Sequence, residues 1–276
     1  MLDVLKALLK DKVGRWGLFG VLIVILMAIS ASAVAPYDPV QVEAKMKLTA
    51  PCAQYLLGTD FLGRDIFSRI LYGARVSIFV GLISVSIGAG FGFIFGIIAG
   101  YAGGKTDNLI MRFMDVLFAF PSVLLALVIV SVLGSDIKNT MIAIGVVFIP
   151  VFTRTVRASV ITVKGMDYVQ NAKTVGVRPV WVIIRHVIPN TLSPFLVQIT
   201  LALSSAILTE STLSFLGLGI QPPNPSWGSM LSDSRSYMEL APWTAIFPAL
   251  FIIFTILSFN ILGDSLRDVL DPKLKI

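Results

Sequence analysis

The stretch SVSIGAGFGFIFGIIAG, Ser84 to Gly100, carries no charge and places Ser84, Gly88, Gly92, Gly96 and Gly100 at every fourth position. At 3.6 residues per turn this spacing lines the small residues along one helix face. The other faces are apolar as well, so a helix here has no side suited to water. In lipid, burying one apolar helix against another brings no hydrophobic gain, and small residues matter because they let two backbones approach. The stretch therefore predicts a membrane helix packed tightly on a neighbour along Gly88, Gly92, Gly96 and Gly100.

The rest of the chain agrees with a membrane setting. Of 276 residues, 56% are hydrophobic and 14% charged, with mean hydropathy +0.87, against about a quarter charged in ordinary soluble domains. Apolar runs of about 20 residues suffice to span the hydrocarbon, and six are found, near 16–35, 76–100, 110–133, 141–160, 191–215 and 244–263. The expected fold is all-α and polytopic, one membrane domain. A short segment 1–15 leads into a first helix 16–35, an external segment 36–75 follows, and a five-helix core 76–263 carries a cytoplasmic loop 161–190 and an external loop 216–243 before a tail 264–276. The first run follows a basic start and ends near Ala31-Ser-Ala33, as a secretory signal would, but it is too long for a signal's apolar region and reads as an uncleaved helix.

Six spans put both termini on one side. The segments 1–15, 101–112, 154–190 and 264–276 hold fifteen Lys and Arg and the opposite segments hold seven, so the positive-inside rule puts the first set in the cytoplasm. Orientation accounts for the net charge of +6. With no run of basic residues, nucleic-acid binding is not expected.

Chemistry of its own is hard to find in this chain. GYAGGKT, Gly100 to Thr106, imitates a phosphate-binding loop, but Ala99 stands where the first glycine is required and the segment follows a membrane helix instead of a strand. There is no H-E-x-x-H or G-x-S-x-G, and one cysteine, Cys52, with one histidine, His186, offers no metal-ligand spacing. No catalytic or metal site is expected. Asp115 has Arg112, and Asp264 has Arg267, at i,i+3, which reads as local ion pairing. Glu210 in AILTESTLSF is different, because a carboxylate within a span is expensive and by default functional. With Ser211 and Ser214 it either lines a substrate path or joins helices.

Two external features stand out. LLGTDFLGRDIFSRILYGARVSI from Leu56 reads as an amphipathic segment along the outer interface, with Arg64, Arg69 and Arg75 facing headgroups. FLGLGIQPPNPSWGSM from Phe215, rich in glycine and proline, reads as a non-helical loop.

Between the fourth and fifth runs lies a polar insert, YVQNAKTVG from Tyr168 to Gly176, continuing VRPVWVIIRHVIPN to Asn190. Met166, Val169, Ala172 and Val175 recur at helical spacing, Gly176 suits a helix stop, and Pro179 suits the first turn of a second helix with Val180, Ile183, Ile184, Val187 and Ile188 on its apolar face until Pro189. The insert reads as helix, turn, helix. Two helices this short need a surface to bind.

The insert resembles the coupling loop of ABC importer permeases, in which Glu-Ala-Ala, three residues and Gly are followed by Leu-Pro or Ile-Pro about a dozen residues on. Here those positions are Gln170, Asn171, Ala172, Gly176, Ile188 and Pro189, so Gln170 replaces the acid and Asn171 the first alanine. The resemblance extends over nearly the whole chain to the C-type permeases of dipeptide, oligopeptide and nickel importers, through LGTDFLGRDIFSRILYGAR, AFPSVLLAL, RHVIPN, LSFLGLGIQPPNPSWGSML and FNILGDSLRDVLDP in that order. It implies a type I importer permease that pairs with a homologous permease, two ATP-binding subunits that use ATP and Mg, and an extracytoplasmic solute-binding protein, in a bacterial or archaeal inner membrane. Coupling to the ATPases would run through Tyr168, Gln170, Asn171, Ala172, Lys173, Gly176, Arg185 and Pro189. Contact with the binding protein is expected around Arg64 and Trp227. The missing metal ligands favour peptides over nickel or another small solute, and a stand-alone channel or ion-coupled transporter is the alternative from another class.

Overall fold

A computed structural model describes residues 7–270; the outermost parts of the N-terminal segment 1–15 and the tail 264–276 lie outside the described residues. The first membrane helix, α1 (Lys12–Val34), is capped by Asp11, whose carboxylate accepts the Val13 and Gly14 N–H groups at 3.3 and 2.7 Å. After an irregular segment comes α2 (Ile66–Ala102), capped by Asp65, which accepts both the N–H and the hydroxyl of Ser68. The second span thus begins ten residues before position 76, because Asp65 supplies a cap that hydropathy does not register. At 37 residues α2 is about 55 Å long, well beyond the roughly 30 Å of hydrocarbon.

The third predicted span, 110–133, is two helices, α3 (Gly104–Phe118) and α4 (Ser122–Leu133), bent by 87°. Pro121 has no N–H to continue the ladder and disfavours helical backbone at Phe120, so α3 ends at Ala119 and α4 starts in a new direction. Among the described residues five helices are long and apolar enough to cross a membrane, or six crossings if the bent pair makes one.

Next is α5 (Ile137–Lys164), capped by Asp136. A short helix, α6 (Asp167–Thr174), precedes α7 (Pro179–Phe215). Here the second short helix of the insert and the fifth span are one element. Pro189 does not stop it; a π-turn at Ile183–Val187, where the Ile188 N–H reaches back to the Ile183 carbonyl, absorbs the missing donor. The loop 216–243, expected to be non-helical, is not wholly irregular either. Ser226 and Ser229 form a reciprocal capping box that starts α8 (Trp227–Ser234). The last helix is α9 (Trp243–Leu270).

The small-residue stripe of α2 is pressed against α5. A Cβ on Gly88 would lie 2.6 Å from that of Phe148, one on Gly96 2.6 Å from that of Val156, and one on Gly100 2.8 Å from that of Val160; Gly92 meets Phe152 as closely. Gly145 reciprocates against Ile87. Backbone-to-backbone contact over four turns makes this seam the centre of the molecule, with Phe148, Phe152, Val156 and Val160 buried beside it. On the other side α1 leans on α9, where Gly17 and Gly20 face Ile261 and Ser258.

The acids near span ends pair differently from the expected i,i+3 partners. Asp115 meets Arg154 of α5 at 2.6 Å, and Asp107 accepts two bonds from Arg157, one of them at 2.6 Å, so the carboxylates tie α3 to α5. Among the described residues Asp264 makes no ion pair with Arg267. A partner on a facing helix offers a fixed geometry, which a flexible pair on one helix does not.

Candidate functional site

The insert is built on the ends of α2 and α5. Gly165 and Met166 turn the chain out of α5, with the Met166 N–H donating to the Val163 carbonyl. Along α6, Val169 is fully buried and Ala172 half-buried, packed with Val163, Val182 and Val187. At the far end the Val177 N–H donates to the Ala172 carbonyl and the Gly176 N–H to the Lys173 carbonyl. These two bonds, with Gly176 at φ +86°, make a Schellman stop, which needs a residue free to adopt left-handed backbone. Pro179 then takes the first turn of α7, as its fixed φ favours.

Side chains pin this hairpin to the membrane helices. The Lys164 ammonium donates to the Tyr101 carbonyl at 2.6 Å, and it and Lys173 sit over the Tyr101 ring at 5.5 and 5.6 Å. Tyr101 follows Gly100, the last residue of the stripe, so the insert rests on the end of the seam. Gln170 donates to the Lys164 carbonyl at 2.6 Å, and the Tyr168 and His186 rings are 6.0 Å apart. Arg185 stacks over Trp181 at 5.3 Å. Asn171, Gly176, Arg185 and Pro189 are exposed. The helical pattern of the insert is only half used for burial: Val175 is 83% exposed, and Val180, Trp181 and Ile184 also stand out. Apolar surface held out on pinned helices suits a protein partner better than water.

The outer end has the opposite character. Arg64 donates from Nε to Asp60 at 2.6 Å and from Nη2 to Asp233 of α8 at 3.1 Å, while Arg69 donates to the Pro39 carbonyl at 3.3 Å and lies within 4 Å of both carboxylates. Arg64 and Arg69 are almost entirely buried. Burial pushes the Asp233 carboxyl above its ordinary range, against the pull of the two guanidiniums. Arg75 donates to the Ala28 and Ile29 carbonyls of α1. Arg64 and Arg69 therefore do not face headgroups; they stitch segment 36–65 and α8 to the helices, while Arg75, itself exposed, ties α2 to α1. Trp227 is fully buried, its indole N–H on the Ile70 carbonyl at 3.1 Å. Neither Arg64 nor Trp227 offers surface to a binding protein.

Glu210 is enclosed on α7. Its carboxylate accepts from Ser77 of α2 at 3.0 Å and from Ser214 at 2.7 Å, with Ser211 at 3.5 Å, and Ser214 also accepts the Ile220 N–H. All of Glu210, Ser211 and Ser214 are buried. In this chain they join α2, α7 and the loop 216–243. Asp60, Asp233 and Ser77 were not singled out by the sequence. Asp60 at i−4 from Arg64 was the available signal for the first, but Ser77 and Asp233 pair across 133 and 169 residues, which no local spacing reveals.

The comparisons fit this geometry. Residues 92–276 match the family described as binding-protein-dependent transport system inner membrane component, and residues 1–51 the N-terminal TM domain of oligopeptide transport permease C. The chain is 44% identical to the dipeptide transport system permease protein DppC of Alkalihalophilus pseudofirmus, over 99% of this chain and 90% of that one. It is 45% identical to the di/tripeptide permease DppC of Pseudomonas aeruginosa, over 94% and 88%, and 45% identical to the glutathione permease GsiD of Pectobacterium atrosepticum, over 94% and 86%. A crystal structure of an amino acid ABC transporter with histidines shares the fold, with TM-score 0.57 and 13% identity over 73% of this chain and 94% of that chain. With its apolar helices and its pinned insert, the chain belongs to the binding-protein-dependent transport system inner membrane components, as a multi-pass permease subunit of an ABC transporter.

Proposed function

We propose that this permease forms, with a second similar permease, a path for short peptides, and that two separate ATP-binding subunits drive it through the insert 161–190. The carrying observation is the hairpin itself: apolar residues held outward on helices that Lys164, Gln170 and Tyr101 fix to the membrane core. ATP and Mg act in the partner subunits, and this chain binds no cofactor. ATP draws those subunits together, each moves one hairpin, and the rigid ends of α2 and α5 carry the motion into the spans, which exposes the path alternately to either side. Both termini then lie in the cytoplasm, and an external solute-binding protein delivers the peptide. The peptide assignment is supported by the relatives named for dipeptides and di/tripeptides.

The test is assembly and transport. ATP-binding subunits are expected to co-purify with the wild-type chain and to be lost on Gly176→Pro, since proline cannot adopt φ +86°. Proteoliposomes holding the assembled transporter and its binding protein should take up trialanine only with ATP. Peptide movement by the purified chain alone would overturn the reading in favour of a stand-alone transporter; ATP-driven nickel uptake without peptide uptake would redirect it to the metal branch.

A further inference from the structure

We infer that the groove between α5 and α7 is this chain's wall of the translocation path and that it receives a peptide as an extended, uncharged backbone; the inference rests on the peptide-import reading above. Two crevices open along this groove. One, of about 200 Å³, lies at the α3–α4 bend, where Ser122, Ser205 and Thr209 are set among mostly apolar neighbours such as Phe118, Phe120 and Phe148. The other, of about 620 Å³, continues it toward α9: Thr155, Asn190, Ser193 and Gln198 line it together with apolar Val197 and Leu201, and Arg267 and Leu270 of α9 form its far side.

They form a single line. Val151 and Thr155 are one turn apart on α5, and Ser205 lies one turn from Leu201, which lines the second crevice. From Thr209 to Asn190 the α7 ridge runs about 28 Å at 1.5 Å per residue, close to the roughly 30 Å thickness of the hydrocarbon.

The chemistry of the ridge narrows the occupant. At 100° per residue, Gln198, Ser205, Thr209 and Thr212 fall within about 60° of one another on α7, a polar stripe that lipid would penalise. The Thr209 and Thr212 hydroxyls donate to their own helix at 2.8 Å, so their oxygens keep acceptor capacity for an incoming N–H. Pro150 and Pro194 also line the crevices. Each withholds the N–H that would bond the carbonyl four residues earlier, Val146 and Asn190, on its own face of the helix. Gln198 supplies donors. Hydroxyls, amides and carbonyls match a peptide backbone, whatever its side chains. Among the described residues no carboxylate, histidine or cysteine lines either crevice, so they offer a bare cation no ligand set, and Arg267 is their one charge there, at the Asn190 end. Glu210 is on α7 as well, but it is enclosed by Ser77 and Ser214.

The test uses the assembled transporter in proteoliposomes with Cys52→Ser, which removes the chain's single cysteine. Ser205→Cys and Thr209→Cys are each compared with Leu196→Cys, an exposed position on the opposite face of α7. A positively charged methanethiosulfonate should label the two groove positions faster than Leu196→Cys, trialanine should slow that labelling, and labelling should abolish trialanine uptake. Equal labelling at all three positions with uptake intact would overturn the groove. Unreactive groove cysteines that crosslink to the second permease would overturn it too, by showing the groove to be filled by protein. ATP-dependent labelling of the groove in a parent that takes up no trialanine would overturn the peptide occupant and, with it, the reading above, while leaving the groove as a path for another solute.

Discussion

The seam between α2 and α5 and the insert 161–190 are built to opposite ends. In the seam the chain supplies both partners, so Gly92 meets Phe152 and Gly96 meets Val156 with no space left. In the insert Val169, Val182 and Val187 are buried, yet Val175 is 83% exposed and Trp181 stands half out. The first is a finished interface; the second, on the function proposed above, is half of one. The difference teaches that one kind of signal, apolar residues at helical spacing, means internal packing where the facing surface lies in the same chain and docking where it does not.

The largest effect is expected from a change that forces the seam open. A Cβ at Gly92 already meets the Ile149 carbonyl at 2.9 Å and the Thr153 N at 3.0 Å, neither of which can turn away as a side chain could. Gly92→Leu is therefore expected to cost about 3 kcal/mol or more, read as a lowered unfolding midpoint and loss of monodisperse protein in detergent. Gly90, two residues away, has nothing within 4 Å of its Cβ position, and Gly90→Ala should stay within about 0.5 kcal/mol of the parent or gain slightly in helix propensity. Equal midpoints for the two variants would break the view of the stripe as a close-packed seam. A smaller loss is expected at the outer end. Arg64→Ala leaves the buried Asp60 carboxylate with the Leu62 and residue-64 backbone N–H groups and one cation, Arg69, 3.6 Å away, and should cost about 2 kcal/mol, as for a lost hydrogen bond to a charged group. The double change Arg64→Met with Asp60→Asn should recover part of it, and no recovery would mean that packing, not charge, makes the arginine matter.

These contrasts also explain what could be read from the residues beforehand. The stripe, Gly176, Pro179 and the six apolar runs were legible because each is a local pattern with a local cause: a face, a left-handed stop, a first turn, a hydrophobic length. The bend at Pro121 was hidden inside a run apolar enough to read as one span, since hydropathy counts residues and ignores a missing N–H. Asp115 lay beside Arg112 in sequence but pairs with Arg154 of a facing helix, and which helices face each other is a tertiary fact. The arginines of 64–75 illustrate the same limit. Their spacing suits a headgroup-facing helix as well as one that ties the outer loops down, and only the carboxylates of Asp60 and Asp233 decide. Glu210 was correctly marked as exceptional, but its partner Ser77 sits on another helix, so path and clasp could not be separated.

The smallest effect on the fold, and the one that most sharpens the comparison, is expected at Gln170. Its amide donates to the Lys164 carbonyl at 2.6 Å on an exposed surface. Gln170→Glu removes that donor and sets a carboxylate against a carbonyl, so the side chain should swing outward, with Lys164 and Lys173 close by to offset its charge. An exposed hydrogen bond of this kind is worth about 1 kcal/mol at most, and the unfolding midpoint should barely move. The permeases that the insert resembles carry an acid at this position. If the insert is half of an interface, the outward carboxylate gives the ATP-binding subunits a charge to meet, and peptide-stimulated ATP hydrolysis should become more sensitive to ionic strength than in the parent. A midpoint lowered as far as in Arg64→Ala would instead make Gln170 an internal support, and the insert would then belong with the seam, closed by its own chain.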